Sequence, residues 1–245
     1  MDMNNLKVAL VTGAAGGIGS AVACLLAERT ASGLVLTDVN QERLEDTARK
    51  IQETTSCKVI ARCADIRKEA DVKQLFDVVS EEFGRLDIVA NCAGISRKGS
   101  MDELTEQQWD LTMDINLKGL FFVCREAFRL MEKIGGSIIN ITSQAARSGG
   151  ILVTPDYPAS KAGVLALSKS LAKAGAAKGI RVNSVAPGLI ATDMTADYGY
   201  DPTTVPLGRI GTGEDVAEAV AFLASDGASY ITGACIDVNG GIQMI

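Results

Sequence analysis

The 245-residue chain contains no histidine. That absence removes the Ser-His-Asp and Cys-His routes to nucleophilic catalysis. It also leaves the usual zinc and haem ligand sets without their imidazole, so no metal site is expected. The six cysteines stand at 24, 57, 63, 92, 124 and 235, and no two form a CxxC pair. No apolar run reaches transmembrane length. The N-terminal MDMNNLKVALVTG lacks the long apolar stretch and small-residue cleavage site of a signal peptide. The expected compartment is therefore cytoplasmic, with reduced thiols. Positive charge is in deficit: 24 Lys and Arg against 30 Asp and Glu give a net charge of −6. A nucleic-acid partner is not expected from such a balance, and the spread acidity serves solubility.

What is present reads as an ordinary soluble globular protein, 47% hydrophobic and 22% charged. A chain of this length buries a sizeable core. Short apolar runs alternate with amphipathic ones. Strands are predicted at Lys7–Val11, Leu34–Thr37, Lys58–Cys63 and Leu86–Ala90, with helices at Ile18–Glu28, Gln41–Glu53 and Glu69–Phe83 between them. TEQQ at 105–108 is a capping-box signature that opens a helical region running to about Lys133. Gly136–Ile141, Ile180–Val185 and Ala234–Val238 read as further strands, and Tyr157–Lys178 and Gly213–Ala224 as helices. This alternation predicts one α/β domain over 1–245, a Rossmann-like doubly wound parallel sheet of about seven strands with helices on both faces. The least regular stretch, 189–206, has the length of a substrate lid.

The first strand runs into TGAAGGIG at 12–19, followed by a helix. Glycines allow a sharp turn and close approach of a phosphate, and the helix start offers free N–H groups. No Lys-Ser/Thr follows, so this is not a P-loop; the context favours a dinucleotide over a plain turn. Asp38 ends the second strand, 19 residues after Gly19. A carboxylate there accepts both ribose hydroxyls and repels a 2′-phosphate, which predicts NAD(H) over NADP(H). The other reading of Asp38 is a cap for the next helix. YPASK at 157–161 sets Tyr157 and Lys161 on one helix face. A nearby ammonium should draw the phenol below its usual value of about 10, toward the working range of a general acid/base.

Five stretches in order, TGAAGGIG at 12–19, NCAG at 91–94, DINLKG around Asn116, IINITS ending at Ser143, and YPASK, resemble the short-chain dehydrogenase/reductase family. RVNSVAPG at 181–188 and VNGG at 238–241 extend the resemblance over nearly the whole chain, and NCAG departs from the family's NNAG only at Cys92. The resemblance implies alcohol/ketone oxidoreduction with a nicotinamide cofactor. It implies catalytic roles for Asn116, Ser143, Tyr157 and Lys161. Tyr157 would exchange the substrate proton, Ser143 would hold the substrate oxygen, and Asn116, at an expected break between helical stretches, would tether a water linked to Lys161. For the cofactor it implies Gly13, Gly17, Ile18, Gly19, Asp38, Asp65, Ile66, Asn91, Gly94, Tyr157 and Lys161, with Pro187, Gly188, Ile190 and Thr192 beside the carboxamide.

Cys92 and Cys124 read as small buried residues, and Trp109 as a packing residue. The pocket segments hold Ser96, Gln144, Asp156 and two lid tyrosines, which leans toward a small polyol, sugar or hydroxy acid. The alternative is a 3-oxoacyl-(acyl-carrier-protein) reductase. The chain resembles that branch most closely along its whole length, with a typical AVAFLASDGASYITGACIDVNGG tail that sugar and polyol dehydrogenases share; the branch normally uses NADPH, and would draw on Lys133, Lys173 and Lys178 for its acidic carrier. A non-catalytic dinucleotide sensor is the alternative of another class, disfavoured because Ser, Tyr and Lys are all present. The family resemblance further implies a homotetramer. Its contacts would include the YPASK helix, where Ala162, Gly163, Ala166, Ser170, Ala174 and Gly175 would permit close approach; packing on the chain's own sheet is the other explanation of those small residues.

Overall fold

A computed structural model describes residues 7–150 and 152–244. The first six residues of the stretch read for a leader, and the final residue of the domain, lie outside it. Seven strands form one parallel sheet in the order β3-β2-β1-β4-β5-β6-β7. They are β1 Lys7–Thr12, β2 Ala31–Asp38, β3 Lys58–Cys63, β4 Ile88–Asn91, β5 Gly136–Ile141, β6 Ile180–Pro187 and β7 Cys235–Val238. The helices are α1 Gly17–Arg29, α2 Gln41–Thr54, α3 Glu69–Phe83, α4 Glu106–Met113, α5 Leu120–Met131, the short α6 Ala145–Ser148, α7 Asp156–Gly175 and α8 Gly213–Ala224. The predicted fold is the observed one.

Alternation along each strand sorts side chains to two cores. Ala9 and Val11 of β1 join Val22 and Leu26 of α1, Leu44 and Ile51 of α2, and Val216 and Val220 of α8. Val8 and Leu10 of the same strand face Val72 and Leu75 of α3, Val123 and Ala127 of α5, and Val164 and Ala172 of α7. Both faces are covered, which is why the strands read as continuous apolar runs. The chain winds outward from β1 to β3, then crosses back to β4 on the other side of β1. The loops after β1 and β4 therefore diverge and leave a crevice at the carboxyl ends of the strands.

Two differences from the sequence reading matter, at β4 and at Trp109. β4 begins at Ile88, two residues late, because Leu86 and Asp87 serve the approach: Asp87 N donates to Val8 O, and Val8 N donates to the Asp87 carboxylate at 2.8 Å. The break expected at Asn116 in the long helical region is a π-helical segment, Asp114–Gly119. The Thr105–Gln108 capping box does open α4. Trp109 is 38% exposed, so it is no core residue. Among the described residues no helix is long and apolar enough to cross a membrane.

Candidate active site

The glycine turn fits a dinucleotide on the chain's own geometry. A Cβ on Gly13 would stand 2.7 Å from the Ala93 backbone, and one on Gly19 would stand 2.0 Å from Gly13 O. These contacts hold the β1 and β4 loops together and seat α1 tightly on its strand. The N-cap of α1 is Gly16, with no capping side chain and no acidic residue in the first turn. The helix start thus keeps free donors and an uncompensated positive dipole for a pyrophosphate. A cavity of about 400 Å³ opens beside it, lined in part by Gly16, Gly17, Ser20, Arg43, Thr192 and Asp193. Arg43 ion-pairs with Asp193 across it.

Asp38 sits at the end of β2, where one carboxylate oxygen accepts from Ala15 N at 3.2 Å and the other from Asn40 N at 3.0 Å. The cap of α2 is Asn40, which accepts from Arg43 N. The cap reading of Asp38 therefore falls, and its carboxylate stands at the glycine turn. Gln144 Oε1 is a buried acceptor with no hydrogen-bond partner, placed against Gly188. It faces the stretch Pro187–Thr192 that the resemblance assigns to a carboxamide. Ile190 is buried there and pairs with Gly211.

Three of the expected cofactor residues sit differently from the simplest expectation. Asn91 turns its amide nitrogen into the sheet, donating to Asn140 Oδ1 at 2.8 Å. Asp65 is held by Arg67 at 2.6 Å, and that guanidinium keeps its carboxyl below the usual range. Ile66 packs against Gly119, where a Cβ would meet it at 2.8 Å.

The four expected catalytic side chains converge. Ser143 follows the end of β5; its Oγ accepts from Ala145 N at 3.1 Å, which fixes the hydroxyl at the strand end. Tyr157 and Lys161 lie in the first turns of α7. Thr142 Oγ1 donates to Lys161 O at 2.8 Å and ties that helix to β5. Lys161 is buried, and its Nζ donates to Ile141 O at 2.9 Å. Asn116, in the π-helical segment, is fully buried. Its Oδ1 accepts from Ile95 N at 2.8 Å, and its Nδ2 donates to Ile95 O and to Ser160 Oγ. A Cβ on Gly94 would lie 3.2 Å from both Asn116 Oδ1 and Lys161 Nζ, so the glycine keeps open the space between them.

The electrostatics correct one expectation. Tyr157 is pushed above its ordinary value, chiefly by burial, with the Ser143 hydroxyl working the other way. Lys161, with its Nζ 5.9 Å from the centre of the tyrosine ring and its hydrogen bond given to Ile141, does not outweigh that burial. Burial instead lowers Lys161 itself to about 8. The Cys92 thiol, beside Lys161, is pushed up to about 12 by burial, which is inert behaviour for a thiol.

Sequence reasoning missed the lid contacts. Ser96 Oγ and Tyr198 OH share a hydrogen bond of 2.8 Å. It also missed an ion pair between Arg97 and the almost fully buried Asp156, the residue before Tyr157, at 3.3 Å. No spacing rule joins residues so far apart in the chain.

Comparison with known proteins agrees with this geometry. The family profile described as enoyl-(acyl carrier protein) reductase matches residues 13–243. A 3-oxoacyl-[acyl-carrier-protein] reductase FabG of Staphylococcus aureus is 40% identical over 248 residues, 99% of this chain and 100% of that protein. Its counterpart in Thermotoga maritima is 38% identical over 242 residues, 96% and 97% of the two chains. A crystal structure described as a short-chain alcohol dehydrogenase of Sinorhizobium meliloti superposes with a TM-score of 0.90 at 36% identity, covering 96% of each chain. The chain belongs to the short-chain dehydrogenase/reductase family and is an NAD(P)-dependent oxidoreductase acting on CH–OH groups.

Proposed function

We propose that this chain reduces the ketone of a 3-oxoacyl thioester to the secondary alcohol. The observation that carries the reading is full-length similarity to 3-oxoacyl-[acyl-carrier-protein] reductases at 38–40% identity, in a chain that brings Asn116, Ser143, Tyr157 and Lys161 together. The polyol or sugar substrate expected from the polar lid has no support among these relatives, and the acyl reading takes its place. The bound nicotinamide supplies the hydride.

The protein's own groups supply the rest. Ser143 Oγ–H donates to the ketone oxygen and holds it at Tyr157. The raised phenol stays protonated at neutral pH, which suits a proton donor to the forming alkoxide. Lys161, at about 8, holds a proton that it can release close to neutral pH. Asn116 fixes the loop at Ile95 and so sets the floor beneath that lysine. Gly13, Gly17, Ile18 and Gly19 would receive the pyrophosphate, and Asp38 the adenosine ribose. The Asp38 carboxylate favours NAD(H), since it accepts from two ribose hydroxyls and repels a 2′-phosphate.

The chain acts as a cytoplasmic homotetramer. An apolar groove of about 520 Å³ lined by Met113, Leu117, Phe121 and Leu167 supports a contact between copies. Gly163 of the small-residue stripe is used within the chain, where a Cβ would meet Leu117 at 2.8 Å.

NADH and NADPH oxidation with an acetoacetyl thioester and with a panel of keto-sugars tests the reading, with Tyr157→Phe as the blank. Thioester reduction that vanishes in the variant is the expected result, faster with NADH. Keto-sugar reduction without thioester reduction would return the protein to the polyol reading. Dinucleotide binding with no turnover would make it a sensor.

A further inference from the structure

Two tyrosines of the 189–206 stretch stand near Tyr157, one of them bonded to the loop after β4. Tyr198 is 5% exposed, and Tyr200 stacks on it edge-on with ring centres 5.7 Å apart. Both lie close enough to Tyr157 that ionisation of one phenol disfavours ionisation of the others. The loop after β4 grips the lid at consecutive residues: Ser96 bonds Tyr198, and Lys98 Nζ donates to Asp197 O at 3.1 Å. Lys98 also bridges Val153, four residues before Tyr157. The tyrosine pair is therefore tied to the segment that leads into the catalytic helix.

We propose that Tyr198, held by Ser96, is the specificity-determining residue of this pocket, restricting it to short 3-oxoacyl groups whose thioester oxygen bonds to the Ser96–Tyr198 pair. For the acyl class this rests on the function proposed above; for size selection it does not. The two hydroxyls carry two hydrogens, and their mutual bond uses one. The second is available to an acceptor on the substrate. A thioester carbonyl, two carbons from the reacting ketone, is such an acceptor. A plain alkyl group at that position would cover both hydroxyls without replacing any bond to water, which is unfavourable in a buried site. A long chain meets the Tyr198 ring, which is braced by Tyr200 and cannot swing aside without breaking the Ser96 bond.

The test uses two chain-length ladders, 3-oxoacyl thioesters of N-acetylcysteamine and matching 2-alkanones, assayed by NAD(P)H oxidation. For the wild type, kcat/KM should fall at least about tenfold from the four-carbon to the eight-carbon thioester, in the range a pocket wall can discriminate. Tyr198→Ala should flatten that fall. Tyr198→Phe should keep the length cut-off but shrink the advantage of thioester over alkanone by about tenfold, mainly through KM, and Ser96→Ala should follow it. A wild-type rate that rises with chain length, or a length profile unchanged in a folded Tyr198→Ala, overturns the proposal. If no thioester is reduced but the ketone ladder shows a cut-off relieved in Tyr198→Ala, the acyl function fails while the role of Tyr198 stands. If Tyr198→Ala does not fold by circular dichroism, Tyr198→Leu takes its place on the same criterion.

Discussion

Replacing Lys161 by methionine should remove a rise in stability that the wild type shows between pH 8 and pH 10. Lys161 is buried, and burial lowers its pKa from 10.5 to about 8. That difference corresponds to about 3 kcal/mol of penalty for holding the ammonium inside the folded protein. Below pH 8 both folded and unfolded chains carry the proton, and the folded state bears the penalty in full. Between about 8 and 10.5 the unfolded chain binds more protons than the folded one, so stability rises with pH. The methionine variant lacks this titration. It also leaves Ile141 O without its donor, a cost of about 1–3 kcal/mol that does not depend on pH. The sign of the variant's stability at pH 7 therefore reflects two opposed contributions. The change in the difference does not: wild type should gain about 2–3 kcal/mol on the variant between pH 7 and pH 10. Urea unfolding followed by circular dichroism at pH 7, 8, 9 and 10, at one protein concentration, measures it. Parallel curves over that range would refute the claim that burial in the folded protein disfavours the Lys161 ammonium.

Two further outcomes follow from packing. Gly19→Ala places a methyl 2.0 Å from Gly13 O, so the β1–α1 turn must move. Binding of either dinucleotide, followed by nicotinamide fluorescence, should weaken at least tenfold, and overpacking of about 1–3 kcal/mol should lower Tm by several degrees. Unchanged binding and melting would show that the turn has slack. Phe121→Asp puts a charge on the 38%-exposed ring bordering the apolar groove. If the groove joins copies in the proposed tetramer, light scattering after size exclusion should show a smaller species than for the wild type, and an unaltered mass would place the contact elsewhere.

The sheet and its helices were legible because the strands are apolar on both faces and the helices carry 3.6-residue periodicity. The first and last turns were less so. Leu86 and Asp87 look like strand residues, yet Asp87 is spent on bonds to the neighbouring strand and to Ser137. The convergence of the four proposed catalytic positions could be expected from local spelling, since each sits in a short motif, three at a strand end or helix start and Asn116 in the π-helical segment. Their electrostatics could not. The spacing of Tyr157 and Lys161 suggested that the lysine acts on the phenol, whereas desolvation governs both groups. The Ser96–Tyr198 and Arg97–Asp156 contacts were invisible because they join loops whose mutual placement is decided only by the folded sheet.

The π-helical segment between α4 and α5 has a consequence for how this sequence can change. Each residue of a helix turns the chain by about 100°. The segment Asp114–Gly119 therefore sets the rotational phase between two stretches that face different neighbours. On one side Asn116 is aimed at Ile95; on the other Leu120, Val123 and Ala127 are aimed at the sheet. Removing or adding one residue there would swing α5 by more than a quarter turn and bring Arg125 or Arg129 toward the core. Residues can be substituted around Asn116, but their number is fixed: the segment works as a spacer of counted length.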